Sequence, residues 1–246
     1  MTTEPLSMSL GKGLPLVEAR FIERPNQFTL VVSLNGQHVR AAMADRGRLK
    51  TVLTPGRIIL LEHRPEKHRK TAYQVVAAQM DGGGLVSLDT TLPNRLVARA
   101  LAARAIPELP AYTGWKAEQT VGGSRFDFCL HLEDGARMLL EVKSVARIDP
   151  DGVARFPDAP TTRGVRHLQE LAHLHRDPKT RCAVLFIVQG ESARRFEVDV
   201  ETDPHFQDAL VAAHQAGVQL LARRCALRRT GLWWGQPCPI NLAPIP

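Results

Sequence analysis

No run of roughly 18 consecutive apolar residues occurs in the chain, which excludes a membrane-spanning helix. The N-terminal stretch MTTEPLSMSLGKGLPL has no charged start leading into an apolar block, so a secretion signal is not expected and the cytoplasm is the expected compartment. Cysteine is sparse: Cys129, Cys182, Cys225 and Cys238 form no CxxC pair, which argues against structural zinc and for ordinary reduced thiols. Aromatic residues make up only 5% of the chain, too few for an extended base-stacking surface. Internal repeats and low-complexity tracts are also missing.

What is present is a basic, otherwise ordinary globular composition. Lys+Arg number 32 against 25 Asp+Glu, a net charge of +7, with 44% hydrophobic residues over 246 positions. Such a balance favours polyanionic partners, because each neutralised phosphate releases condensed counterions. The excess is concentrated. Between Arg40 and Lys70 stand nine basic side chains (Arg40, Arg46, Arg48, Lys50, Arg57, Arg64, Lys67, Arg69, Lys70) against Asp45, Glu62 and Glu66, a local excess of six. On a small barrel these residues form a phosphate-tracking surface with little base selectivity. DNA, double- or single-stranded, is the expected partner, with Arg46, Arg48, Lys50, Arg69 and Lys70 as candidate contacts.

Residues 14–82 read as β-rich. Phe28–Leu34 and Val39–Met43 flank Asn35-Gly36, the dipeptide best suited to a tight hairpin, and Arg57–Glu62 and Thr71–Ala78 are further strands. Several short strands with turn signals suggest an OB-like barrel. Asp81-Gly82-Gly83-Gly84 marks a boundary, since consecutive glycines impose almost no backbone preference. From 85 to 232 the pattern is mixed: a helix over 95–106 ended by Pro107 and Pro110, strands over 124–132 and 137–145, and a loop through Phe156-Pro157-Asp158. A helix over 162–175, an apolar strand over 182–189, a helix over 204–216 and a strand over 218–222 follow. That order predicts an α/β domain with a mixed central sheet.

The chemistry lies in SRFDFCLHL and LLEVKSV. Alternation on the first strand turns Phe126, Phe128, Leu130 and Leu132 inward and Arg125 and Asp127 outward. On the second, Glu141 and Lys143 share a face. A hairpin joining the two brings Asp127 beside Glu141 and Lys143, the Asp…Glu-x-Lys pattern of PD-(D/E)xK nucleases. Two carboxylates suit a hard divalent cation, Mg²⁺ or Mn²⁺, and a lysine beside them orients a water or stabilises the phosphate. A Glu-x-Lys alone is common on solvated strand faces; its apolar strand context is what makes it informative here. On the helix that follows, Thr161 or Thr162 is the cap. Arg163 and His167, four residues apart, face one way and are candidates to hold a phosphate or leaving group. His167, His173 and His175 match no common zinc spacing.

The chain also resembles the sugar fermentation stimulation protein A family from about Phe21 to Ala222. The resemblance is carried by Ser124-Arg125-Phe126-Asp127-Phe128, Glu141-Val142-Lys143-Ser144-Val145 and Phe156-Pro157-Asp158-Ala159 with Thr161, Arg163-Gly164 and His167-Leu168. Weaker matches are Gly47-Arg48, Pro55-Gly56, Lys70-Thr71-Ala72-Tyr73 and Pro93-Asn94. It implies an OB-like domain followed by a PD-(D/E)xK nuclease-like domain, sequence-nonspecific DNA binding and a regulatory link to sugar metabolism. It also implies that Asp127, Glu141 and Lys143 occupy nuclease-like positions, and that Glu118, read here as strand-borne, matches a family glutamate. Asp45 stands where the family usually has Asn. Three readings stay open: a DNA-binding protein, a cation-dependent nuclease, and a binding module on a nuclease scaffold. A homo-oligomer is also left open.

Overall fold

The computed structural model describes residues 5–45, 47, 49–50 and 52–242; Arg46 and Arg48 therefore lie outside the described residues. In chain order its strands are Ser7–Met8 (β1), Leu16–Asn26 (β2), Thr29–Leu34 (β3), Gln37–Ala42 (β4), Ile58–His63 (β5), Tyr73–Gln79 (β6) and Leu85–Ser87 (β7). Helix α1 (Leu92–Ala102) precedes Tyr112–Val121 (β8), Ser124–Leu132 (β9), Arg137–Val145 (β10), Arg147–Ile148 (β11) and Val153–Phe156 (β12). Then come α2 (Thr162–Leu174), β13 (Thr180–Val188), β14 (Arg195–Val198), α3 (Pro204–Gln215), β15 (Gln219–Arg224), β16 (Ala226–Arg228), β17 (Gly231–Trp233) and β18 (Ile240–Asn241). The chain divides into two compact units, residues 1–95 with 227–233, and 96–226 with 234–246.

In the first unit the strands run β4-β3-β2-β5-β6-β7, and a parallel β4–β6 pairing closes five of them into an OB-type barrel. Asn35 and Gly36 both take positive φ (50° and 79°), the geometry that a two-residue hairpin between β3 and β4 demands. Leu30, Val32, Ile59 and Leu61 are fully buried inside the barrel, each worth roughly 1.5–3 kcal/mol over an exposed position. Strand β2 is the one that local pattern does not single out. It is central, pairing with both β3 and β5, but its register against β3 slips at Phe21/Glu23 and Glu23/Asn26, which breaks the alternation a reader looks for.

Some of the barrel's charges are spent internally. Buried Glu62 accepts hydrogen bonds from the backbone N–H groups of Lys12 (2.7 Å) and Leu14 (3.0 Å) and from Arg64. Arg57 pairs with Asp81 at 2.7 Å. Arg24 donates to the carbonyls of Asp45 and Gly47, and Asp45 Oδ1 accepts from Gly47 N at 2.7 Å. This Asp45 closes a local turn, a job for which the side-chain oxygen suffices.

The second unit is the expected α/β domain with a mixed central sheet. Its five-stranded sheet runs β15-β13-β10-β9-β8, with β8, β9 and β10 antiparallel and β10, β13 and β15 parallel. Strand β13 is buried at every residue from Cys182 to Val188, as an apolar run in a covered parallel strand must be. Phe186 stacks on Phe196 with ring centroids 4.2 Å apart, and Phe156 meets Phe186 and Phe206 edge-on. The expected helix over 95–106 instead occupies 92–102. Proline is tolerated in a first turn, so Pro93 belongs to the helix, and Arg104 (φ 52°) turns the chain left-handed before the later prolines are reached. The stretch after Val145, expected to be a loop, contributes β11 and β12 to a second sheet, β11-β12-β14-β18. Among the described residues no helix is long and apolar enough to cross a membrane.

That second sheet carries an ion-pair network in which Arg147 bridges Asp149 and Asp199 while Arg155 meets Asp149. The Arg147 hydrogen bond, against partial burial and with help from Arg155, holds the Asp149 carboxyl below its ordinary value of 3.8. A depressed folded pKa means that the stabilisation is complete above the unfolded value and disappears as pH falls through the folded one. Urea midpoints measured from neutral pH down to about pH 3 should therefore fall at the acid end. Asp149→Asn should be less stable at neutral pH and lose less on acidification; parallel curves for the two proteins would contradict the assignment.

Candidate metal and nucleic-acid site

Strands β9 and β10 pair as far as Leu140↔Phe128; one step further the ladder puts Asp127 opposite Glu141. Across the other edge of β9, the pairs Ala117↔Phe128 and Gln119↔Phe126 set Glu118 opposite Asp127. Three carboxylates thus stand in one row over three adjacent strands. The row is irregular. Glu118 has φ 53°, and Phe126 and Cys129 share the core beneath α2 although a three-residue spacing cannot put both on one face of a regular strand. The expected alternation from Phe126 to Leu132 fails at this point because Asp127 breaks the ladder: its Oδ2 accepts the backbone N–H of Val142 at 2.7 Å. A side-chain carboxylate stands where a strand carbonyl would otherwise bond.

Glu141 is 4% exposed. Its Oε1 accepts two hydrogen bonds, from Lys143 Nζ at 2.6 Å and from His167 Nδ1 at 2.7 Å, while its Oε2 is buried without a hydrogen-bond partner. Burial pushes the Glu141 carboxyl up, but His167 and Lys143 outweigh it and hold it below the usual carboxylate range. A buried carboxylate oxygen with nothing to accept is costly, about 1–3 kcal/mol for a neutral group and more for a charged one. It is the kind of atom that a cation completes. Among the described residues no three His, Cys, Asp or Glu side chains form a ready-made metal cage. A hard divalent cation that keeps several waters takes one or two protein carboxylates. Glu141 and Asp127 fit that demand.

The other expected site residues fall out differently. His167 was expected to face a phosphate; it is 2% exposed, stacked obliquely 5.9 Å from Phe126 and bound to Glu141, so it has no access to a nucleic acid. Its place on the buried stripe of α2 with Gly164, Leu168 and Leu171 is visible in the sequence as a helical period. Arg163 lies on the exposed face instead. Arg125 is exposed and 3.7 Å from the exposed Glu118, a pair worth little on its own. Lys50 and Lys70 are exposed on the barrel, whereas Arg69 bonds Gln74 Oε1 at 2.9 Å and the Thr71 carbonyl at 3.3 Å. Glu170, a turn further along α2, reaches the sheet: its Oε1 accepts from Gly123 N at 2.7 Å, tying α2 to the β8–β9 turn. The four cysteines are free and buried, and burial pushes the Cys182 and Cys225 thiols up to about 12, which removes them from nucleophilic chemistry.

Residues 22–88 match the family model described as the SfsA N-terminal OB domain, and residues 91–231 match the sugar fermentation stimulation protein RE domain. A sugar fermentation stimulation protein homolog from Chloroflexus aurantiacus is 47% identical over 98% of this chain and 93% of its own length. One from Clostridium tetani is 37% identical over 84% of this chain and 89% of its own. Among solved structures, that of Pyrococcus furiosus SfsA in complex with Ca²⁺ superposes with a TM-score of 0.82 at 29% identity, covering 96% of this chain and all of that one.

Proposed function

The chain belongs to the sugar fermentation stimulation protein family, and from that premise we propose that it binds DNA without sequence preference and hydrolyses phosphodiester bonds at Asp127, Glu141 and Lys143 with the help of Mg²⁺ or Mn²⁺. The observation that carries the proposal is the Glu141 carboxylate, with one oxygen held by two donors and the other buried and unpartnered. Asp127, fixed to the backbone beside it, is the second oxygen donor. The Ca²⁺ bound by the Pyrococcus furiosus relative supports a divalent cation at such a site. When bound, the cation supplies charge for a phosphate oxygen and a water of lowered pKa. Lys143, 13% exposed and paired with Glu141, swings to orient that water or meet the phosphate. Exposed Arg163 and Arg125 contact the DNA backbone beside it.

Binding is favoured by a separate observation. Arg40, Lys50, Lys67 and Lys70 are exposed on the barrel and have no carboxylate partner among the described residues. The test is incubation of the purified protein with supercoiled and single-stranded DNA, with Mg²⁺ or Mn²⁺ and then with EDTA. Nicking that EDTA stops is the expected result. Tight binding with no cleavage of any substrate would leave a DNA-binding protein alone. No binding at physiological salt would leave a binding module on a nuclease scaffold.

A further inference from the structure

We propose that His167 is the positioning residue of the cation site: it fixes Glu141 Oε1 from beneath so that Oε2 is the oxygen presented to the metal. The inference rests on the reading of Glu141 as a metal ligand and goes beyond it by assigning the work of holding that ligand.

Glu141 has two donors on the same oxygen, and they are not equivalent. Lys143 is two residues along the same strand, partly exposed, and carries its charge on a flexible stem. His167 comes from another element, is 2% exposed, and has its ring wedged against Phe126. A carboxylate only accepts, so the Nδ1 facing it is the protonated nitrogen of the ring. The ring cannot turn away without emptying a packed site. Lys143 is thus free to leave Oε1 for a substrate, and His167 is what keeps Glu141 in place when it does.

The helix that bears His167 is itself fixed at both ends of the site. Thr161 caps it through Gly164 N at 3.0 Å, and Leu168 and Leu171 are fully buried against the sheet. One turn beyond His167, Glu170 accepts from Gly123 N, and a Cβ added at Gly122 would stand 2.5 Å from its Oε1. Helix α2 therefore holds β10 through His167 and the β8–β9 hairpin, which bears Asp127, through Glu170. The two carboxylates keep their register because one rigid helix grips both strands. Groups that orient a ligating side chain typically matter 10–100-fold in metal affinity.

The test is calorimetric titration of Mn²⁺ into the whole protein without DNA, comparing wild type with His167→Asn and His167→Leu. Asparagine puts an amide nitrogen close to the place of Nδ1; leucine fills the space without a donor. The leucine variant should bind Mn²⁺ about 10–100-fold more weakly, and the asparagine variant should stay close to wild type. If the leucine variant is unfolded by circular dichroism, His167→Gln, whose amide sits one bond too far out, supplies the same contrast. Equal Mn²⁺ affinity in all variants would overturn the role of His167, as would an asparagine variant as weak as the leucine one. A wild type that fails to bind Mn²⁺ would sink the metal-site reading itself, a result distinct from either.

Discussion

Glu141→Gln is expected to abolish cation-dependent DNA cleavage while leaving the protein folded and able to bind DNA in EDTA. Glutamine keeps the volume of the buried side chain, and its carbonyl oxygen still accepts from Lys143 and His167. What changes is the other end: the unpartnered carboxylate oxygen becomes an NH₂ group, a donor aimed where a cation has to sit. Charge stabilisation by a metal amounts to several kcal/mol, and at about 1.36 kcal/mol per decade the loss of rate is on the order of a thousandfold. The readout is the initial rate of plasmid nicking at saturating Mg²⁺ and again at saturating Mn²⁺. Asp127→Asn should fall in the same direction. A Glu141→Gln protein that nicks at the wild-type rate would mean that the hydrolytic site lies elsewhere.

DNA affinity should fall at least about a hundredfold between ~50 and ~200 mM salt, because the barrel's four phosphate contacts by themselves give a slope of about −3.6 in log affinity against log salt. The four are Arg40, Lys50, Lys67 and Lys70, the described barrel cations of the Arg40–Lys70 stretch that are exposed and have no acid partner among the described residues. Replacing all four by alanine should flatten the slope and weaken binding equally on unrelated sequences. Arg57→Ala and Arg64→Ala should barely move it, since those guanidinium groups already sit on Asp81 and Glu62. A slope near zero for the wild type, measured by fluorescence anisotropy on a labelled duplex, would contradict phosphate-led binding.

Much of the fold was legible because its signals are local. Asn35-Gly36 carries the hairpin geometry in two residues, and an unbroken apolar run such as β13 has few alternatives to a covered strand. Strand β2 and the sheet of β11, β12, β14 and β18 were not legible. The first is broken by register slips, and the second depends on the pairings of β12 with β14 and β14 with β18, each joining residues more than 40 positions apart. The site divides in the same way. Asp127, Glu141 and Lys143 follow from strand periodicity, but the direction in which Asp127 turns depends on a backbone N–H of the neighbouring strand. His167 was visible as a residue of interest and misread as to side. Its spacing from Arg163 suggested a shared polar face, whereas its neighbours Leu168 and Leu171 draw it into the core, where its Nδ1 meets Glu141.

The proposed hydrolysis stands or falls with the bare oxygen of Glu141 as a cation's seat. Anomalous X-ray scattering from crystals grown with Mn²⁺ tests it without any enzyme assay. A single strong peak bonded to Glu141 Oε2 and to an Asp127 oxygen, with Oε1 still on His167, is the expected result. A peak seated on other carboxylates, or none in a crystal saturated with Mn²⁺, would contradict it.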